Sequence, residues 1–241
     1  MQRQVHQYGK RMKYNEDQFK ELLKALYADL LNARHHFKLY RSLNEALHDY
    51  KKEINQCVAF WGLTISAHKQ TSILSLCRAY DSQKNASSLY QLIRIIQENI
   101  ELFDIQQFRE RLKHNPYVDS LSQTAREPNQ QQLAKDLEFV SNGNPLVKRL
   151  IILRNNVVAH TSTSSIIKNK NDLNPLTWKE IEELIEQGMS IINSYSLLFE
   201  ASTYASTLLG EDDYKTVLRH IRCGIKATKF LHEIEQEWYK R

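Results

Sequence analysis

Glycine and proline are scarce in this chain, six and four among 241 residues. Sheet proteins need turn formers at short intervals, so the scarcity argues against strands and for long helices joined by few loops. Cysteine is scarcer still: Cys57, Cys77 and Cys223, an odd number with no CxxC pair and no zinc-ligand spacing. That excludes a disulfide scaffold and predicts reduced, structural thiols. No apolar run approaches the roughly 20 residues of a membrane span, and the opening Met1-Gln2-Arg3-Gln4-Val5-His6 lacks the apolar core of a signal peptide. A soluble cytoplasmic chain with no membrane partner is therefore expected. Neither an internal repeat nor a Gly-rich phosphate loop is present. Charge of one sign is not dominant either: the net +5 permits contact with nucleic acid without demanding it.

What is there is the balance of a folded protein, 41% hydrophobic and 25% charged. Residues 1–14 carry Arg3, Lys10, Arg11 and Lys13 and read as a basic arm; residues 15–241 read as one helical domain. Asn15 with Gln18 forms a capping signal, after which Phe19, Leu22, Leu23, Leu26, Leu30, Ala33, Phe37, Tyr40, Leu43 and Leu47 recur at helical spacing. A second helix over about 54–80 is apolar on several faces, which predicts a central position. Further starts are expected at Ser88, Asp104, Asn144-Pro145 and Thr177. Polar loops are expected over 115–130 and 161–176, the helix begun at Thr177 is expected to run through Tyr204 and close at Gly210, and a last helix is expected over 211–238.

The segment Leu153-Arg154-Asn155-Asn156-Val157-Val158-Ala159-His160 draws attention. Its helix is expected to end near His160, because Thr161-Ser162-Thr163-Ser164-Ser165 is poor helix material. Six positions on an ideal helix separate Arg154 and His160 by about 120° and about 9 Å. They can border one groove, or meet their counterparts in a second copy. Spacing alone decides little, since Arg41–His48 and Arg109–His114 show similar intervals. The context of Arg154 differs: it follows the apolar run Leu150-Ile151-Ile152-Leu153, so its charge must reach solvent or a counter-charge. A surface Arg with a His near a helix C-terminus is the plain alternative.

Arg154-Asn155 followed by Ala159-His160 resembles the Arg-Asn…Ala-His signature of HEPN domains. Upstream, Leu76-Cys77-Arg78-Ala79-Tyr80-Asp81 resembles the Leu-x-Arg-x-x-Asp helix end of the abortive-infection U-type subgroup. The resemblance spans roughly 15–205 and implies an all-α, up-and-down helical bundle, here with extra helices. It also implies a homodimer whose motif helices lie near the dimer axis. Many such proteins are metal-independent ribonucleases, some of them toxins or antiviral effectors; others have lost catalysis. Arg154, Asn155 and His160 would then be the catalytic residues, with Arg78 and Asp81 supporting them from behind. RNA would be the substrate, and an antitoxin or regulatory protein a further partner, with no cofactor and no metal. A binding module without catalysis is the alternative. Toxins silenced by adenylylation carry Tyr two residues beyond the His, where this chain has Ser162, and Thr161-Ser162-Thr163 stands where the subgroup often has charge.

The chemistry suits these residue types. His titrates near neutrality and can take the 2′-OH proton or protonate the leaving 5′-oxygen. Arg stays charged and presents a fork to phosphate oxygens. Asn155 can hold His160 or the phosphate. A local Arg78–Asp81 ion pair is the plain reading of that i,i+3 pair. His35, His36, His68 and His220 are expected to be surface or packing residues, and Trp61, Trp178 and Trp238 to pack or cap.

Overall fold

The computed structural model describes residues 14–83, 85–154, 176–207, 210 and 212–239, and among them every regular element is helical. The chain is an all-α bundle. Helix α1 (Glu16–Asp49) opens with the capping box read from the sequence, the Asn15 side chain accepting from Gln18 N–H while the Gln18 side chain returns to the Asn15 N–H. Its Leu and Phe stripe is buried from Phe19 to Leu43; at the far end Ala46, not Leu47, faces inward.

The expected second helix is interrupted. A single turn, α2 (Lys51–Ile54), and a 3₁₀ turn at Asn55–Cys57 precede α3 (Val58–Ala79). Four cross-links fix the register of α3 on α1: Arg78 to Asp29, Asn32 to Ser75, Ser72 to the Ala33 carbonyl, and His68 to His36. As the α3 number falls the α1 number rises, so the two helices are antiparallel. The expected central position holds only for the second half of α3. Ser72 to Tyr80 is largely buried, but Val58, Phe60 and Leu63 are each 60% exposed or more. Apolar composition on several faces could not distinguish a central helix from one with an uncovered end.

Beyond α3 come α4 (Leu89–Glu98), capped by Ser88, a 3₁₀ turn (Ile100–Phe103) and α5 (Ile105–Arg111), capped by Asp104. The stretch expected as a loop over 115–130 includes one short turn of helix, α6 (Val118–Leu121), before α7 (Gln130–Val140). Helix α8 (Pro145–Arg154) starts where Asn144 accepts from Leu146 N–H at 2.8 Å. The expected helix end at His160 lies outside the described residues, as do residues 1–13 of the basic arm, Asn155 and most of the 161–176 loop.

Helix α9 (Trp178–Glu200) carries a second complete capping box, Thr177 with Glu180. It runs antiparallel to α1, as Lys20–Glu200, Arg34–Glu186 and Arg41–Glu182 show. It ends at Glu200, ten residues before Gly210, with Ala201 in the left-handed region at φ 53°. Tyr204, expected on this helix, instead lies on the segment that follows and stacks on Tyr27 with ring centroids 4.5 Å apart. Its N–H donates to Asn193 Oδ1, and its carbonyl accepts from Asn193 Nδ2. Periodicity over 191–204 runs through this stop because Tyr204 is partly buried by stacking rather than by helical phase.

The main core gathers α1, the second half of α3, α4, α7, α8 and α9 around Phe19, Leu23, Leu30, Leu76, Tyr80, Leu92, Phe103 and Phe199. A smaller cluster of Leu43, Ala46, Ile54, Trp61 and Leu218 attaches α10 (Asp213–Tyr239). Trp61 is buried as expected; Trp178 is 41% and Trp238 80% exposed, so neither belongs to the core.

Candidate functional site

Among the described residues, three side-chain links tie α8 to its neighbours. Leu150 and Val147 bury its inner face. On one side, the Arg149 guanidinium forms a salt bridge with Glu180, the same carboxylate that accepts from Thr177 N–H at 2.8 Å in the α9 capping box. The hydrogen bond from Arg149, with the backbone bond from Thr177, holds the Glu180 carboxyl down at about 2. On the other side, the Cys77 thiol donates to the Leu150 carbonyl at 3.6 Å. Burial pushes that thiol up to about 12, the Asp81 charge adds to the shift, and Arg154 opposes it, so Cys77 stays a neutral donor at physiological pH.

The third link carries the site. Arg154 Nη1 donates to Asp81 Oδ2 at 3.2 Å, joining the described end of α8 to the end of α3. Both side chains are roughly three-quarters covered, at 27% and 20% exposure. Asp81 is itself fixed, since its Oδ1 accepts from Gln83 N–H at 2.9 Å. One oxygen thus anchors the carboxylate to its own loop while the other meets the guanidinium. Tyr80, fully buried, donates to the Leu184 carbonyl at 2.6 Å and holds this end of α3 against α9. Leu153, next to Arg154, borders a cavity of about 120 Å³ lined also by Tyr40, Lys69, Ile73, Leu176 and Trp178.

The residues singled out from the sequence therefore separate. Asp81 meets Arg154. Arg78 turns the other way: its Nε and Nη2 donate to Asp29 Oδ1 at 2.8 and 2.6 Å, and Nη2 also reaches Ser75 Oγ. The local Arg78–Asp81 pair is replaced by one pair to α1 and one to α8. Asn155 and His160 lie outside the described residues. Glu180, Arg149 and Tyr80, which position α8 and α3, carried no sequence signal beyond the Thr177–Glu180 cap, whereas Cys77 is the buried structural thiol expected of it.

A second titratable cluster lies elsewhere. His36 and His68 bring their Nδ1 atoms to 2.8 Å, a distance that requires one shared proton. Burial lowers the pKa of both, and for His68 the neighbouring His36 adds to the shift. They line a cavity of about 250 Å³ with His35, Leu39, Asp213 and Tyr214. Among the described residues no three His, Cys, Asp or Glu side chains converge as a metal-binding group. None of the described helices is long and apolar enough to cross a membrane.

A family model for AbiU2 HEPN domains matches residues 16–219, from the first residue of α1 into α10. The chain belongs to the AbiU2 family of HEPN domains. No curated protein and no solved structure matches it. In this AbiU2 protein the Leu-x-Arg-x-x-Asp helix end meets the described end of α8 through Asp81 and Arg154.

Proposed function

We propose that this AbiU2 protein is a metal-independent endoribonuclease, acting as a toxin or antiviral defence effector, with Arg154, Asn155 and His160 as its catalytic residues. The observation that carries the reading is the Arg154–Asp81 ion pair at 3.2 Å. A partly covered Arg, held by a carboxylate that is itself tied down, is a preorganised cation of the kind that phosphoryl chemistry requires. It stands immediately before Asn155 and six residues before His160.

In the proposed reaction the ribose 2′-oxygen attacks the adjacent phosphorus as its proton passes to an imidazole. The P–O5′ bond breaks as the 5′-oxygen takes a proton from a second acid. The products are a 2′,3′-cyclic phosphate and a 5′-hydroxyl. Arg154 neutralises the phosphorane charge, and Asn155 orients His160 or the phosphate. One chain supplies a single His at this motif, so a homodimer with two motif helices near its axis supplies both proton-transfer groups. An antitoxin or other regulatory protein would restrain such an enzyme in the cytoplasm.

The same ion pair favours a second reading: a guanidinium already paired with Asp81 offers less charge to a phosphorane, as in a HEPN module that binds RNA, nucleotide or protein without cutting. One assay separates them. Purified protein and its His160→Ala variant are incubated with RNA in EDTA. The nuclease reading expects cleavage by the wild type and a loss of about 10²–10⁴-fold in the variant. Equal rates in both, or no cleavage by either, would leave the binding module.

A further inference from the structure

Helix α10 leaves the body of the protein. Its first half is attached through buried Leu218, with Tyr214 and Ile221 packed alongside, and Arg222 donates to the buried Glu53 carboxylate. From Lys226 to Tyr239 every residue is exposed. This tip, about 21 Å of helix at 1.5 Å per residue, carries an apolar face between its charged residues. Phe230, Leu231 and Trp238 are exposed by 62%, 61% and 80%, and Ile234 and Ala227 complete the set.

The phase of these residues says what cannot cover them. At 100° per residue, Ala227, Phe230, Leu231, Ile234 and Trp238 fall within a stripe about 100° wide. Tyr214, Leu218 and Ile221, which bind the helix to the body, lie about 150° around from that stripe. One straight helix cannot lay both faces on the same body. A contiguous row of Phe, Leu, Ile and Trp in water is also unusual for a monomer. The stripe lies beyond residue 219, where the match to the AbiU2 family ends.

We propose that the exposed tip of α10 pairs antiparallel with the same tip of a second copy of this chain. Charge selects both the occupant and the direction. Lys226 and Lys229 precede the stripe's centre, and Glu233, Glu235 and Glu237 follow it. A two-fold antiparallel pair sets Leu231 opposite Ile234 of the partner subunit and seats Trp238 over the partner subunit's small Ala227. In that register Lys226 lies about 3 Å along the axis from Glu237 of the partner subunit, on the same flank of the seam and within reach of its long side chain, twice per dimer. A parallel pair would turn the Glu237 flank toward the Glu235 flank and repel. The tip is already helical and continuous with an anchored half, which lowers the ordering cost of association. Its short seam buries less than the 1,200–2,000 Å² of a standard interface, so micromolar affinity is expected. This pairing is independent of the nuclease reading.

Sedimentation velocity of the full chain across the micromolar range tests it. Lys226→Glu and Glu237→Lys, each alone, place like charges at both contacts and should weaken self-association by at least about tenfold. An equimolar mixture of the two variants restores both attractions and should return to wild-type association. Trp238→Ala should also weaken it. All three sites are exposed, so the variants keep the fold. A wild type that stays monomeric across that range overturns the proposal. So do charge variants that associate as tightly as wild type, which would put self-association on another surface such as α8, and a mixture that fails to recover.

Discussion

Asp81 accepts from the Arg154 guanidinium with one carboxylate oxygen, at 3.2 Å, and from the Gln83 N–H with the other, at 2.9 Å. The pair ties together two segments 73 positions apart in the chain. It also gives Asp81 a role that a helix-end i,i+3 partner for Arg78 would not have.

Replacing Asp81 by Asn keeps the size and removes the charge. If the carboxylate holds Arg154 in its working position, Asp81→Asn lowers RNA cleavage by about tenfold, the cost of roughly 1.4 kcal/mol in transition-state stabilisation. Circular dichroism should show an intact fold. A faster Asp81→Asn enzyme would mean that Asp81 merely neutralises Arg154.

Arg154→Lys retains the charge and loses the planar fork. Cleavage should fall by at least about tenfold, while RNA binding, measured by fluorescence anisotropy, weakens only modestly because other cations still attract the backbone. A Lys variant that cuts at the wild-type rate would show that a point charge suffices and would remove the bidentate role.

Glu180 provides a pH test of the α8 anchor. Its folded carboxyl, held to about 2 by Arg149 and Thr177, lies below its ordinary 4.5. A depressed acid contributes stability that is fully present above 4.5 and is lost as pH falls through about 2. Arg149→Ala should therefore be less stable than wild type at pH 7, and the gap should narrow as pH falls from 5 to 2. Denaturant melts at several pH values measure it. A gap that stays constant with pH would mean that Arg149 acts by packing alone.

Cys77 is buried with its thiol pushed up to about 12, whereas Cys57 and Cys223 are exposed. Alkylation of the folded protein at neutral pH should modify Cys57 and Cys223 and spare Cys77, and denaturant should expose all three. Peptide mass mapping reads the result. Rapid modification of Cys77 in native buffer would contradict the packing of α3 on α8.

Much of the fold was legible because its signals are local. Asn15–Gln18 and Thr177–Glu180 are capping boxes in sequence and in space, and Ser88, Asp104 and Asn144 each accept at a helix start. A cap satisfies backbone donors two or three residues away, so its cause lies within a few positions. The Phe19–Leu43 stripe was equally plain, since a helix buries one face at a 3.6-residue period wherever it packs. The stop of α9 at Glu200 was not, because Tyr204 keeps an apolar phase while it is held by Tyr27 and Asn193 from other parts of the chain.

The sequence by itself determined that the chain is helical, where most helices begin, and that Arg154, Asn155 and His160 stand at HEPN-like spacing. Only the tertiary structure decided that Arg78 belongs to Asp29 and Asp81 to Arg154, that the apolar start of α3 stays uncovered, and that Trp238 projects from an exposed helix. The physical reason is range. Helix formation and capping act between residues three or four apart, whereas ion pairing and burial depend on which helices the whole bundle brings side by side.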